Sequence, residues 1–273
     1  MLKRLRRHRR LLHVLPAALV VGVGVAGLLT TAASGSPHPQ AAKATTGADP
    51  ISYSTPSSKA QIQRGGTLFA ESCASCHGPD AGGTSVAPNL QGLGAGTVDF
   101  WVSTGRMPLQ TADAQANRKP PLFDRSETLD IAAYVASRSP GGVGIPSVDL
   151  SSASLSDGQD AFTLNCAACH TITGAGDALA NGAYAPSLHY ATKTQVAEAM
   201  RTGPGNMPRF GTGTLTDKEV ADIAAYVTGP IQHPDNAGGA GLGGIGPVAE
   251  GFVALLVGVG GSMLITFWLG ERA

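Results

Sequence analysis

Two long apolar runs bracket the chain. Leu11–Leu29 holds nineteen residues interrupted by His13 and Pro16, and Val248–Leu269 holds twenty-two. A helix of the second length spans about 33 Å, enough for the hydrocarbon core of a bilayer. The first run exceeds the roughly 7–15 apolar residues of a signal-peptide core, so it reads as an uncleaved anchor. Cleavage within Thr31-Ala32-Ala33-Ser34 is the alternative, and either outcome exports the body of the chain. Ala254, Gly258 and Ser262 form a small-residue stripe on the second run, which permits close helix approach but is also ordinary in membrane helices.

Between the runs the apolar spacing is helical. Ile131, Tyr134 and Val135 fall at i, i+3 and i+4, and so do Ile223, Tyr226 and Val227. Thr216-Asp217-Lys218-Glu219 is a capping box opening the later of these helices, and Ser156-Asp157 reads as the start of another. No alternating segment of useful length breaks the pattern, so the expected fold class is all-α. Residues 32–57, 140–150 and 230–247 lack a period, are rich in small residues, Pro or Gly, and read as linkers.

Comparing the body with itself reveals a duplication. Cys73-Ala74-Ser75-Cys76-His77 matches Cys166-Ala167-Ala168-Cys169-His170. Gly65 and Phe69 match Gly158 and Phe162, Ala87-Pro88-Asn89-Leu90 matches Ala185-Pro186-Ser187-Leu188, and Met107-Pro108 matches Met207-Pro208. Asp130–Val135 recurs unchanged as Asp222–Val227. The expected organisation is therefore a basic flank and membrane segment (1–31), a linker (32–57), domain 1 (58–139), a linker (140–150), domain 2 (151–229), a glycine-rich linker (230–247) and a transmembrane helix (248–269). Residues 111–121 are an insertion peculiar to the first copy.

Charge changes the picture little. Six Lys or Arg crowd the first ten residues, and residues 32–247 carry twelve basic and seventeen acidic groups. Positive charge confined to one terminus fits a cytoplasmic flank and argues against nucleic-acid binding.

Chemistry concentrates in the four cysteines, all of them in two Cys-x-x-Cys-His motifs. That spacing is the signature of covalent c-type haem attachment. Two thiols on one side of a helical turn each add to a vinyl group, and the next imidazole projects at the iron. Cys73, Cys76, Cys166 and Cys169 are thus the expected attachment points of two haem c groups, with His77 and His170 as proximal ligands. A zinc site would need four ligands per ion, and a thioredoxin-like motif would need a βαβ setting. Met107 and Met207 are the candidate sixth ligands, because each precedes a proline at the same place in the repeat. A thioether opposite an imidazole favours reduced iron. His189 is a rival in the second copy. Arg106, Arg201 and Arg209 are candidate propionate partners, set against ordinary solvated charge. Pro88 and Pro186 are expected to leave a carbonyl for each histidine Nδ1–H, and Tyr134 and Tyr226 to pack on a haem edge.

These motifs resemble class I cytochrome c domains over both repeats. The whole layout is similar to the dihaem cytochrome c subunits of actinobacterial cytochrome bc1 complexes. That resemblance implies a menaquinol-oxidising complex with cytochrome b and a Rieske iron–sulfur protein as partners. It implies that the first domain takes electrons from the Rieske protein and that the second hands them to a terminal oxidase. A dihaem subunit of a haem–copper oxidase is the neighbouring alternative. A dihaem peroxidase is the alternative of another class, disfavoured by a Met-Pro in both copies.

Overall fold

In a computed structural model of the chain, residues 49–109, 111, 115–180, 182–235 and 247–271 are described. The basic flank and the first apolar run lie outside them.

Each repeat is built on a crossing of two helices. In the first, α1 (Lys59–Ser72) meets α4 (Arg125–Arg138), with α2 (Ala74–His77) and α3 (Ala95–Ser103) between them. In the second, α5 (Leu155–Asn165) meets α8 (Asp217–Tyr226), with α6 (Ala167–His170) and α7 (Lys193–Thr202) between. The duplicated glycines explain how close the crossings are. A Cβ on Gly65 would lie 1.8 Å from the Asp130 carbonyl oxygen, and one on Gly158 would lie 2.2 Å from that of Asp222. Neither position admits a side chain without moving backbone. Phe69 and Phe162, one turn later, are fully buried and pack tilted against Tyr134 and Tyr226 at centroid distances of 5.1 and 5.6 Å.

The caps follow the sequence with one shift. Thr216 and Glu219 form the expected capping box, and Ser58/Gln61, Asp124/Glu127 and Thr192/Gln195 do the same. Helix α5 is capped by Ser154 rather than Ser156, its hydroxyl accepting from the Asp157 amide at 3.3 Å.

The all-α expectation needs correcting. Strands β1 (Ile51–Ser54) and β2 (Ile145–Val148) pair antiparallel, Ile51 opposite Val148, and a second ribbon joins β3 (Asp177–Ala178) to β4 (Tyr184–Ala185). The fold is mainly helical with two short ribbons. β1 and β2 lie in the segments 32–57 and 140–150 that read as linkers. Strands of four residues are too short to show a period, yet their β-branched residues bury well. Ile51 and Val148 join the core of the second domain, and Ile145 joins that of the first. Tyr53, on the same strand as Ile51, donates to Asp217 at 2.7 Å and accepts from Arg201 Nε at 3.1 Å. The first linker therefore ends by clasping the second domain.

The second domain also outruns its expected boundary at 229. A π-helical turn, Val227–Ile231, continues α8, Ile231 is buried, and Gln232 donates to the carbonyls of Leu188 and Ala191 at 2.8 and 2.7 Å. The C-terminal helix runs as α9 (Pro247–Ala254), a π-helical turn (Leu255–Val259) and α10 (Gly260–Glu271). Within it Gly251–Glu271, 21 residues of mean hydropathy 2.1, is long and apolar enough to cross a membrane. Its large side chains, Phe252, Leu256, Leu264 and Trp268 among them, are exposed.

Candidate haem sites

Each Cys-x-x-Cys-His motif begins where a helix ends. The amide of Cys73 still bonds to the Phe69 carbonyl and that of Cys166 to the Phe162 carbonyl, both at 2.8 Å, after which the chain turns into α2 or α6. The buried phenylalanine thus sets where the first thiol stands. None of the four cysteines is in a disulfide. Burial, then the neighbouring Cys76 or Cys169, pushes the Cys73 and Cys166 thiols up to about 11. Groups held as thiols at neutral pH do not suit a redox-active pair, which needs a depressed pKa.

Both histidines are held the same way. Nδ1 of His77 lies 2.9 Å from the Pro88 carbonyl oxygen, and Nδ1 of His170 lies 2.9 Å from that of Pro186. A carbonyl only accepts, so Nδ1 carries the proton and donates, which leaves Nε2 as the free lone pair. This is the arrangement expected from the two prolines, and it fixes tautomer and ring orientation together. Burial pulls the His170 pKa down, opposed by the Pro186 bond.

A cavity of about 510 Å³ opens in the second domain, and Cys166, Cys169, His170 and Met207 all lie on its wall. Leu188, Met200, Phe210 and Ile223 make the rest of that side apolar. Four residues picked out in the second copy thus converge on one space. The first copy is divided: Met107 also lines this cavity, whereas Cys73, Cys76 and His77 do not. Among the described residues no group of three or more His, Cys, Asp or Glu side chains stands ready to hold a bare metal ion. Apolar walls, thiols at the rim, an imidazole with a free Nε2 and a thioether on the same cavity fit a metalloporphyrin.

Comparison with known proteins agrees. Residues 62–139 match the family model described as cytochrome c, and residues 153–227 match that of cytochrome c oxidase, cbb3-type, subunit III. The cytochrome bc1 complex cytochrome c subunit of Corynebacterium diphtheriae is 36% identical, covering 99% of this chain and 99% of its own. That of Mycobacterium tuberculosis is 39% identical over 99% of this chain and 94% of its own. The chain belongs to the cytochrome c subunits of cytochrome bc1 complexes. A more distant likeness is to the cbb3-type cytochrome c oxidase subunit FixP of Azorhizobium caulinodans, 26% identical over 60% of this chain and 57% of the relative. Both domains of this cytochrome bc1 complex subunit are accordingly haem c domains, and it serves respiratory electron transfer.

Within this family member the remaining candidates sort by their contacts. His189 is exposed, bonds through Nε2 to the Thr173 carbonyl at 2.9 Å and is not on the cavity wall. Arg201 is committed elsewhere, to the carbonyls of Phe210 and Leu215, to Tyr53 and to Asp217. Arg209 is exposed. Arg106 is different: it is 9% exposed, its Nη1 is buried without a hydrogen-bond partner, and it lines the cavity. Burial, then nearby Arg118, lowers its pKa. Tyr134 packs on Phe69 and donates to the Pro79 carbonyl at 2.8 Å.

Two features escaped sequence reasoning. Residues 115 to 118 of the insertion dock on the second domain, where Gln115 exchanges hydrogen bonds with the Tyr184 backbone at 2.8 and 3.1 Å and Arg118 donates to Gln195 at 3.0 Å. At the packing of α3 on α7, the Glu198 carboxyl lies beside Asp99, both 1% exposed, with Arg125 paired to Asp99. Burial, then the Asp99 charge, drives the Glu198 pKa far above the usual carboxylate range. No spacing rule joins residues about a hundred positions apart.

Proposed function

We propose that the chain holds two covalently attached haem c groups and relays single electrons across the outer face of the membrane within a menaquinol-oxidising cytochrome bc1 complex. Cys73 and Cys76 would anchor one group, Cys166 and Cys169 the other. His77 with Met107 and His170 with Met207 would be the donors to the two irons. When bound, haem c supplies a one-electron ferric–ferrous couple. The chain's residues do the rest. The carbonyls of Pro88 and Pro186 hold each imidazole with Nε2 free for iron. The Met-Pro loops supply thioethers, which favour the reduced state. Leu188, Phe210 and their neighbours give the cavity of the second domain an apolar wall, the surface that a porphyrin face would pack on.

Cytochrome b and a Rieske protein are the partners that membership of this family supports. The first domain would receive from the Rieske protein and the second would deliver to a terminal oxidase. The Gly251–Glu271 helix supplies a membrane anchor, and the basic flank with Leu11–Leu29 a second if it is retained. The observation that carries the reading is a relationship covering both domains and both flanks, combined with two identically pinned histidines. The match of residues 153–227 to a cbb3-type oxidase subunit favours one second reading, an electron-entry subunit of an oxidase. Affinity purification of the tagged full chain from native membranes decides between them. Cytochrome b and the Rieske protein should co-purify, and recovery with oxidase subunits alone would sink the proposal.

A further inference from the structure

Arg106 is about nine-tenths buried, its guanidinium carbon sits 4.9 Å over the Phe100 ring, and its buried Nη1 has no hydrogen-bond partner. A cation removed from water needs an anion, because aromatic contact alone does not replace its hydration. It lies on the wall of the cavity that also presents Cys166, Cys169 and His170, and Arg118 stands on that wall too. Both arginines belong to the first domain, whereas the attachment motif belongs to the second. Arg118 is positioned by Gln195, whose side-chain oxygen accepts from its Nη1 at 3.0 Å, and by the docking of the insertion through Gln115. The second domain offers no equivalent: Asn206 stands before Met207 where Arg106 stands before Met107, and Arg201 is already satisfied.

We propose that Arg106, assisted by Arg118, binds a carboxylate of the group seated in the second domain's cavity, so that the first domain supplies the anion site of the second. The chemistry required is a carboxylate carried by an apolar planar body, as the two propionates of a haem are. The planar fork of arginine suits bidentate pairing with it. The inference rests on the haem reading of the cavity. It makes the second haem's potential depend on how the domains are docked, since a positive charge held beside it stabilises the reduced form.

The test is a redox titration of the full-length, detergent-solubilised chain, with each wave assigned by Met107→His and Met207→His backgrounds. Arg106→Gln should lower the potential of the haem held by His170, shifting its reduction equilibrium about tenfold, which is 59 mV for one electron. Arg106→Lys should recover part of that shift. Arg118→Gln should act on the same haem in the same direction and more weakly, and Arg209→Gln should move neither. An effect confined to the haem of His77, or no effect in a variant that retains both haems on a denaturing stain, overturns the inference alone. A wild-type chain carrying no haem on Cys166 and Cys169 overturns the functional reading and this inference with it.

Discussion

The two halves of the body share a plan and differ where they meet. Each has the same glycine at the same crossing, the same buried phenylalanine ahead of the first cysteine and the same carbonyl on the histidine. Each also buries the aspartate of the repeated Asp-Ile-Ala-Ala-Tyr-Val, but with a different cation. Asp130 is paired with Arg64 from the opposite helix, and Asp222 with Lys218 one turn back on its own. The seam diverges further. The first copy contributes an insertion, two arginines and a methionine to the second copy's cavity, whereas the second contributes Glu198 and Gln195 to the contact. What binds the cofactor is duplicated, and what couples the copies is not.

The largest effects should test the shared part. Replacing Cys166 and Cys169 together by Ala should remove one haem per chain on a denaturing stain, and replacing Cys73 and Cys76 should do the same. An unequal loss would break the equivalence of the copies. Gly65→Ala should cost about 3 kcal/mol of stability by overpacking, and Gly158→Ala somewhat less because its contact is longer. Thermal unfolding followed by circular dichroism would show both. Met107→Ala and Met207→Ala should each lower one potential and leave its haem attached. An unchanged potential for Met107→Ala would show that its place on the wall of the second domain's cavity is its whole role.

Smaller effects should sharpen the differences. Glu198 keeps a proton in the folded state that it releases on unfolding, because burial beside Asp99 raises its pKa. Stability from this group is complete below the ordinary carboxylate pKa and declines as pH rises towards the folded value. Glu198→Gln should flatten that decline and gain about 2 kcal/mol at pH 8, read from urea titrations at several pH values. A wild-type profile without the decline would show that the group ionises without penalty. Tyr53→Phe should cost about 1 kcal/mol, the loss of its bonds to Asp217 and Arg201, and speed proteolysis near residue 55.

The duplicated helices and the proline carbonyls on the histidines were legible because each is set by spacing within about thirty residues. Thr216 and Glu219 announced their helix, and Met207 announced its place by repetition. Strand β1 was hidden because four residues carry no period, and its own Ser52 and Ser54 with nearby Pro56 resemble a tether. Arg106 was visible as a cation beside a candidate ligand, but its contact with Phe100 and its place on a cavity of the other domain follow from tertiary packing. The insertion stood out as peculiar to the first copy, but its partners lie some seventy to eighty residues on, beyond any local spacing.

The β1–β2 pairing carries a consequence for how the protein is made. Ile51 precedes the first domain, yet its strand partner Val148 comes after that domain, and Tyr53 waits for Asp217, 164 residues downstream. A chain emerging from its amino terminus completes the first haem motif while this clasp is still impossible. The first domain therefore emerges whole before the strand that precedes it can find either partner.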